Sequence, residues 1–217
     1  MNETYTGHQF QTFGQISYSQ WGQDLLILTL FKDIGIENPS YIDCGAYSPL
    51  IISNTALMYS RGSRGINIEP NPYLFFHFME QRYEDVNLNI AVFPAYTNFE
   101  LEYYIIDHES PCNSLSLQEL SDNNLKATET IKVKSMTLND IIDKYSNGIF
   151  PDFLNIDIEG LDYEVLKHTD FVKSRPKIIH AECRDEKATI KMMRDKDYKD
   201  LIRIAGNTIF MDKAYCK

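Results

Sequence analysis

From residue 41 onward the sequence alternates short apolar runs with longer mixed segments. No other feature restricts the fold as strongly. YIDC (41–44) reads as a strand, and SNTALMYSRG (53–62) as a helix stopped at Gly62. GINIEP (65–70) is a second strand ended by Pro70. NPYLFFHFMEQRY (71–83) is a helix with Pro72 in its first turn, and VNLNIAVF (86–93) is a third strand. This β-α-β-α-β order predicts an α/β fold with a doubly wound, mostly parallel sheet. Further on, FELEYYII (99–106) and IKVKSM (131–136) read as strands, and TLNDIIDKYS (137–146) as a helix capped by Thr137. FLNIDIEG (153–160) and KIIHAEC (177–183) are strands of buried character, with a helix at 161–171 between them. A charged helix near 185–197 precedes DLIRIAGNTIFM (200–211), a hairpin turning at Gly206-Asn207. Upstream, SQWGQDLLILTLFKD (19–33) has helical periodicity. The chain divides into an irregular lead-in, 1–16, and one domain, 17–217, with a polar loop insertion at about 108–130. The aromatic-rich run LFFHFM (74–79) is read as the core face of its helix.

In such a sheet the ligand sits at the carboxyl ends of the strands, beside the switch in strand order. The loops after Asp43, Glu69 and Asp157 should therefore share one rim. Glu69 lies 24 residues beyond Gly45, where an acid can accept hydrogen bonds from both hydroxyls of a ribose. A dinucleotide would need Gly-x-Gly-x-x-Gly, but the run from Gly45 is GAYSPL. Tyr47 and Leu50 stand in the second and third glycine places, and Pro49 removes an N–H donor. A ribonucleoside without phosphate makes no such demand, and S-adenosylmethionine is one.

Asn155, Asp157 and Glu159 alternate along one expected strand, so all three should face one side. His180 and Glu182 alternate on the next and should reach the same rim. Asp157 is the candidate active-site acid. His180 is either the base, with an ordinary pKa near ~6.5, or a core histidine bonded to a carbonyl. Glu159 either joins the rim or caps the following helix through Gly160. Asp157, Glu159 and Glu182 could bridge a divalent cation, or form a hydrogen-bonded carboxylate cluster. Ser53, Asn54 and Thr55 suit a helix N-terminus.

Charge narrows the partners. The formal net charge of -10 disfavours nucleic acid as the main partner. The four cysteines form no Cys-x-x-Cys pair. They read as free thiols, with Cys44 and Cys183 as small core residues. The polar opening MNETYTGHQF lacks the pattern of a secretion signal, and no apolar stretch approaches the ~18 residues of a membrane span. These features point to a cytoplasmic protein without a membrane partner. They leave the oligomeric state open.

The chain resembles the FkbM-type methyltransferases. The resemblance runs through SQWGQD (19–24), YIDCGAYSPLIISNT (41–55), GINIEPNP (65–72), NIAV (89–92), MTLNDII (136–142), LNIDIEGLDYEVL (154–166) and RPKIIHAEC (175–183). It departs at Ser63, where the family often has an aromatic residue. The resemblance implies a Rossmann-like methyltransferase fold with seven strands, the last antiparallel, and S-adenosylmethionine as cofactor. It implies a hydroxyl acceptor on a sugar or related natural product. Carried onto this chain, the cofactor set is Gln20, Asp24, Asp43, Gly45, Ala46, Ser53, Asn54, Glu69, Pro70 and Asp157. Gln20 and Asp24, on one helix face, would close over the amino-acid end; Asp43 and Gly45 would bracket the methionine part. A nicotinamide-dependent oxidoreductase and a non-catalytic scaffold are the rival functions.

Overall fold

The computed structural model describes residues 15–95 and 98–216. The expected irregular lead-in falls mostly outside them. Helix α1 (Gln23–Asp33) is followed by β1 (Tyr41–Cys44), α2 (Ala56–Ser60), β2 (Gly65–Ile68), α3 (Pro72–Gln81) and β3 (Val86–Leu88). Then come β4 (Ala91–Val92), β5 (Glu100–Ile105), α4 (Leu117–Asp122), β6 (Glu129–Met136) and α5 (Leu138–Tyr145). The chain continues with β7 (Phe153–Ile156), α6 (Asp162–His168), β8 (Ile178–Glu182), α7 (Glu186–Asp195), β9 (Tyr198–Ile204) and β10 (Asn207–Asp212).

Seven strands form one sheet in the order β3-β2-β1-β7-β8-β10-β9. The first five run parallel; β10 is antiparallel to both of its neighbours. The order reverses between β1 and β7, which creates a crevice at their carboxyl ends. Alternate residues of the strands supply two cores. Ile42, Leu154 and Ile179 pack with α5, α6 and α7. Tyr41, Phe153 and Ile178 pack on the other face, against α1 and α2. Cys44 and Cys183 lie buried in the first core.

The doubly wound expectation therefore holds, with several local corrections. The 86–93 run is two strands. Asn89 donates to the carbonyls of Glu69 and Pro70, drawing the chain out of the main sheet. Beyond it, β4 joins a second sheet, β4-β6-β5. The polar segment 108–130 contains α4, whose N-terminus is capped by Ser116 accepting from the Glu119 N–H. Helix α1 begins at Gln23, because Gly22 takes a left-handed conformation with φ 81°. Gln20 and Asp24 therefore do not share a helix face. Strand β7 ends at Ile156, and Glu159 takes φ 55°, so Asn155, Asp157 and Glu159 do not alternate on one strand. The hairpin turns at Ala205-Gly206, one residue early, with φ 48° and 85°, the positive pair a two-residue turn requires. On α3 only Leu74 and Phe78 are buried. Phe76 and Met79 face solvent, so LFFHFM is only half core. Among the described residues no helix is long and apolar enough to cross a membrane.

Candidate active site

One row of polar side chains, buried except at its edge, crosses the sheet. Register places Asn87, Asn67, Asp43, Asn155 and His180 side by side on five adjacent strands. One step back on three of those strands the row is apolar: Tyr41, Phe153 and Ile178. Polar groups buried this way are costly without partners. Here they satisfy one another. Thr55 donates to Asp43 Oδ2 at 2.6 Å, and Asn155 Nδ2 donates to Asp43 Oδ1 at 2.7 Å. That turns Asn155 Oδ1 toward His180 Nδ1, 2.7 Å away. Asn155 Oδ1 can only accept, so Nδ1 carries the imidazole proton. The other ring nitrogen, Nε2, is buried without a partner. Burial lowers the His180 pKa to about 4, which keeps it neutral. His180 is 1% exposed and sits beneath the crevice.

The crevice has two halves that share Gly45, Tyr47, Pro111, Asp157 and Glu159. One half is a narrow slot. Glu69 lines it together with the apolar Pro70, Leu74, Val92 and Leu115. Glu69 accepts the N–H groups of Tyr47 and Asn71, each at 2.8 Å. Those bonds favour its ionised form, but burial outweighs them and raises its pKa to about 8. Two acceptor positions on its carboxylate remain for a ligand. The other half is polar and is lined by Asp43, Ala46, Ser53, Asn54 and Asn155.

Gly45 is set by chain packing as much as by any ligand. A Cβ on it would stand 1.9 Å from the Asp157 carbonyl oxygen. Tyr47, in the second glycine place, adopts φ 53° and aims its N–H at Glu69. Ser53 accepts the Ala56 N–H and so holds the start of α2. Gln20 is exposed. Asp24 is buried, with both oxygens taken by Ser17, Ser19 and the Tyr18 and Leu25 N–H groups. It acts on the crevice indirectly, because the Tyr18 carbonyl it positions accepts the Ser53 N–H.

Acids crowd the rim. Carboxylate oxygens of Asp157, Asp162 and Glu182 lie within 4.8 Å of one another. Such a trio could hold a hard cation. Asp162 thus stands where Glu159 was expected; it also accepts the Ile158 and Gly160 N–H groups. Glu159 turns toward Arg184, whose guanidinium also meets Glu182 and Glu119 of α4. Burial, reinforced by the neighbouring acids, holds Asp157 well above the usual carboxylate range. The same causes raise Glu159 to about 7 and Glu182 to about 9. Arg184 is shared among three acids and 39% exposed, so it offsets only part of this. Asp162 lies six residues beyond the end of β7, and only the turn at Glu159-Gly160 brings it back to the rim. A lone arginine such as Arg184 carries no spacing signal.

The FkbM methyltransferase domain model matches residues 43–205. No curated protein matches the chain. Among solved structures, methyltransferase FkbM from Methylobacillus flagellatus KT, at 2.20 Å resolution, is similar at 13% identity with a TM-score of 0.49. That alignment covers 80% of this chain but only 43% of the other, and so weak a likeness adds nothing to the argument. The family match spans the strand ends, the crevice and the acidic rim just described, and by it this chain belongs to the FkbM methyltransferase family.

Proposed function

We propose that this protein is an S-adenosylmethionine-dependent methyltransferase that methylates a hydroxyl group on a sugar or related natural product. The observation that carries this reading is the divided crevice at the β1/β7 switch point. Its Glu69 slot has one carboxylate among apolar walls, which suits a ribose beside an adenine. Its polar half offers Asp43 and Asn54 to an amino-acid tail. The bound cofactor would supply an electrophilic methyl group on a cationic sulfur. The chain would hold the acceptor oxygen in line with it and take up the hydroxyl proton. Of the two candidate bases, Asp157 lines both halves of the crevice, whereas His180 is buried, neutral and bonded to Asn155. We assign the proton to Asp157. Its raised pKa falls when a cation sits beside it. The acidic rim favours neutral or cationic acceptors over phosphorylated ones.

Calorimetric titration with S-adenosylhomocysteine tests the cofactor, with NADH as the control. We expect one-site binding of the former alone, and its loss in Glu69→Ala. Binding of NADH instead would favour the oxidoreductase reading. Equal affinity in wild type and Glu69→Ala would remove Glu69 from the site. Transfer of labelled methyl to a panel of glycans, absent with phosphorylated sugars, would then define the acceptor.

A further inference from the structure

Arg82 is the largest fully buried side chain among the described residues, and none of the roles above uses it. It caps the C-terminus of α3 and reaches under the β1–α2 loop. Its guanidinium pairs with Asp85 at 2.9 Å and donates to Tyr41 Oη, Thr55 Oγ1, Asn67 Oδ1 and the Pro49 carbonyl. The Tyr59 ring covers it at 4.6 Å. A buried cation needs one acid partner; this one also grips the loop and the polar row.

The direction of the hydrogen bonds reveals what the grip does. Arg82 donates to Thr55, and Thr55 donates to Asp43. From the other side His180 donates to Asn155, and Asn155 donates to Asp43. Every donor on this line points toward one carboxylate, and that carboxylate borders the polar half of the crevice. Burial raises the Asp43 pKa, and the Thr55 and Asn155 bonds and the Arg82 charge oppose that rise. We infer that Thr55, itself fixed by Arg82, is a positioning residue that orients Asp43 to receive the ammonium group of the cofactor's amino-acid tail. This rests on the cofactor reading above. Without Thr55 the Asp43 carboxylate loses an acceptor bond that favours its charge, and one of its oxygens is no longer fixed.

Two ligands separate this role from general stability. S-adenosylhomocysteine carries the amino-acid tail; 5′-methylthioadenosine has the same adenine, ribose and thioether without it. Calorimetry with both, on wild type, Thr55→Val and Thr55→Ser, is the test. Thr55→Val should weaken S-adenosylhomocysteine by about tenfold to a hundredfold and leave 5′-methylthioadenosine within about twofold. Thr55→Ser, which keeps the hydroxyl, should restore the first ligand. Equal losses for both ligands in folded Thr55→Val would overturn the inference while leaving the cofactor reading intact. Failure of wild type to bind either ligand would overturn the cofactor reading, and the inference with it. Should Thr55→Val not fold, Thr55→Ala removes the same hydroxyl and serves the same comparison.

Discussion

At residue scale, the site depends on side chains whose neighbours leave them one choice. Gly45 has φ 76° and no room for a Cβ, because the Asp157 carbonyl sits where that atom would go. The β1 and β7 loops touch through backbone at this point. Gly45→Ala would have to push them apart and also accept a left-handed conformation. We expect it to cost on the order of 3–5 kcal/mol in chemical denaturation. A cost below about 1 kcal/mol would mean that the two loops separate easily, and that the glycine serves a ligand alone. His180 shows the same constraint in protonation. Asp43 fixes the Asn155 amide, the amide fixes the imidazole tautomer, and burial holds the ring neutral. Spacing along the chain places a histidine at a strand end. It does not say that a neighbouring strand will claim its Nδ1 proton.

At the scale of elements, the short helix α4 is what the sequence least disclosed. It lies in a polar segment, and its link to the rim is a single arginine. Arg184, just beyond β8, pairs with Glu119 of α4 and with Glu159 after β7. Ser114 adds a bond to the Glu159 carbonyl, and Tyr47 reaches the Glu109 carbonyl. These contacts hold the 106–123 segment against the crevice. Arg184→Ala should therefore speed amide exchange across 106–123 by about tenfold and leave β1 and β7 protected. Uniform protection in the variant would show that apolar contacts such as Leu120 and Leu115 hold the segment instead. The regular elements were legible because each carries its own period and punctuation: Pro72 at the start of α3, Thr137 before α5, and the apolar runs of β1, β7 and β8. The breaks were not, since each depends on a distant partner. Asn89 leaves the sheet for two carbonyls after β2, and Asp24 accepts bonds from Ser17 and Ser19. Within the site, Asp43, Glu69 and Asp157 could be placed from strand ends alone. Asp162, Arg184 and Arg82 needed the fold to bring them in.

At the scale of the whole molecule, a few of the acids behind the net charge of -10 sit where ionisation costs most. Glu69, Glu159 and Glu182 are raised to about 8, 7 and 9, in each case first by burial. A carboxyl group whose folded pKa exceeds its unfolded value binds a proton more tightly in the fold. Its contribution to stability is complete below about pH 4.5 and is lost as pH rises through the folded value. His180 acts oppositely: its depressed pKa of about 4 removes stability as pH falls below about 6.5. Three raised acids outweigh one histidine, so the folded protein should lose stability steadily between pH 6 and pH 9. Glu182→Gln mimics the protonated acid at every pH. It should raise the melting temperature, and its lead over wild type should widen from pH 6 to pH 8.5. A lead that narrows or reverses would show that Arg184, 3.4 Å away, keeps Glu182 ionised in the fold. The same imbalance bears on ligand binding. A cation entering the crevice stabilises the ionised carboxylates, so binding a charged nucleoside at pH 7 should release protons. Titrations of S-adenosylmethionine, which carries the sulfonium, in buffers of different ionisation heat should then give different apparent enthalpies. Identical enthalpies would mean that the acids near the ligand keep their protonation state on binding, which would remove proton release as a source of affinity at this site.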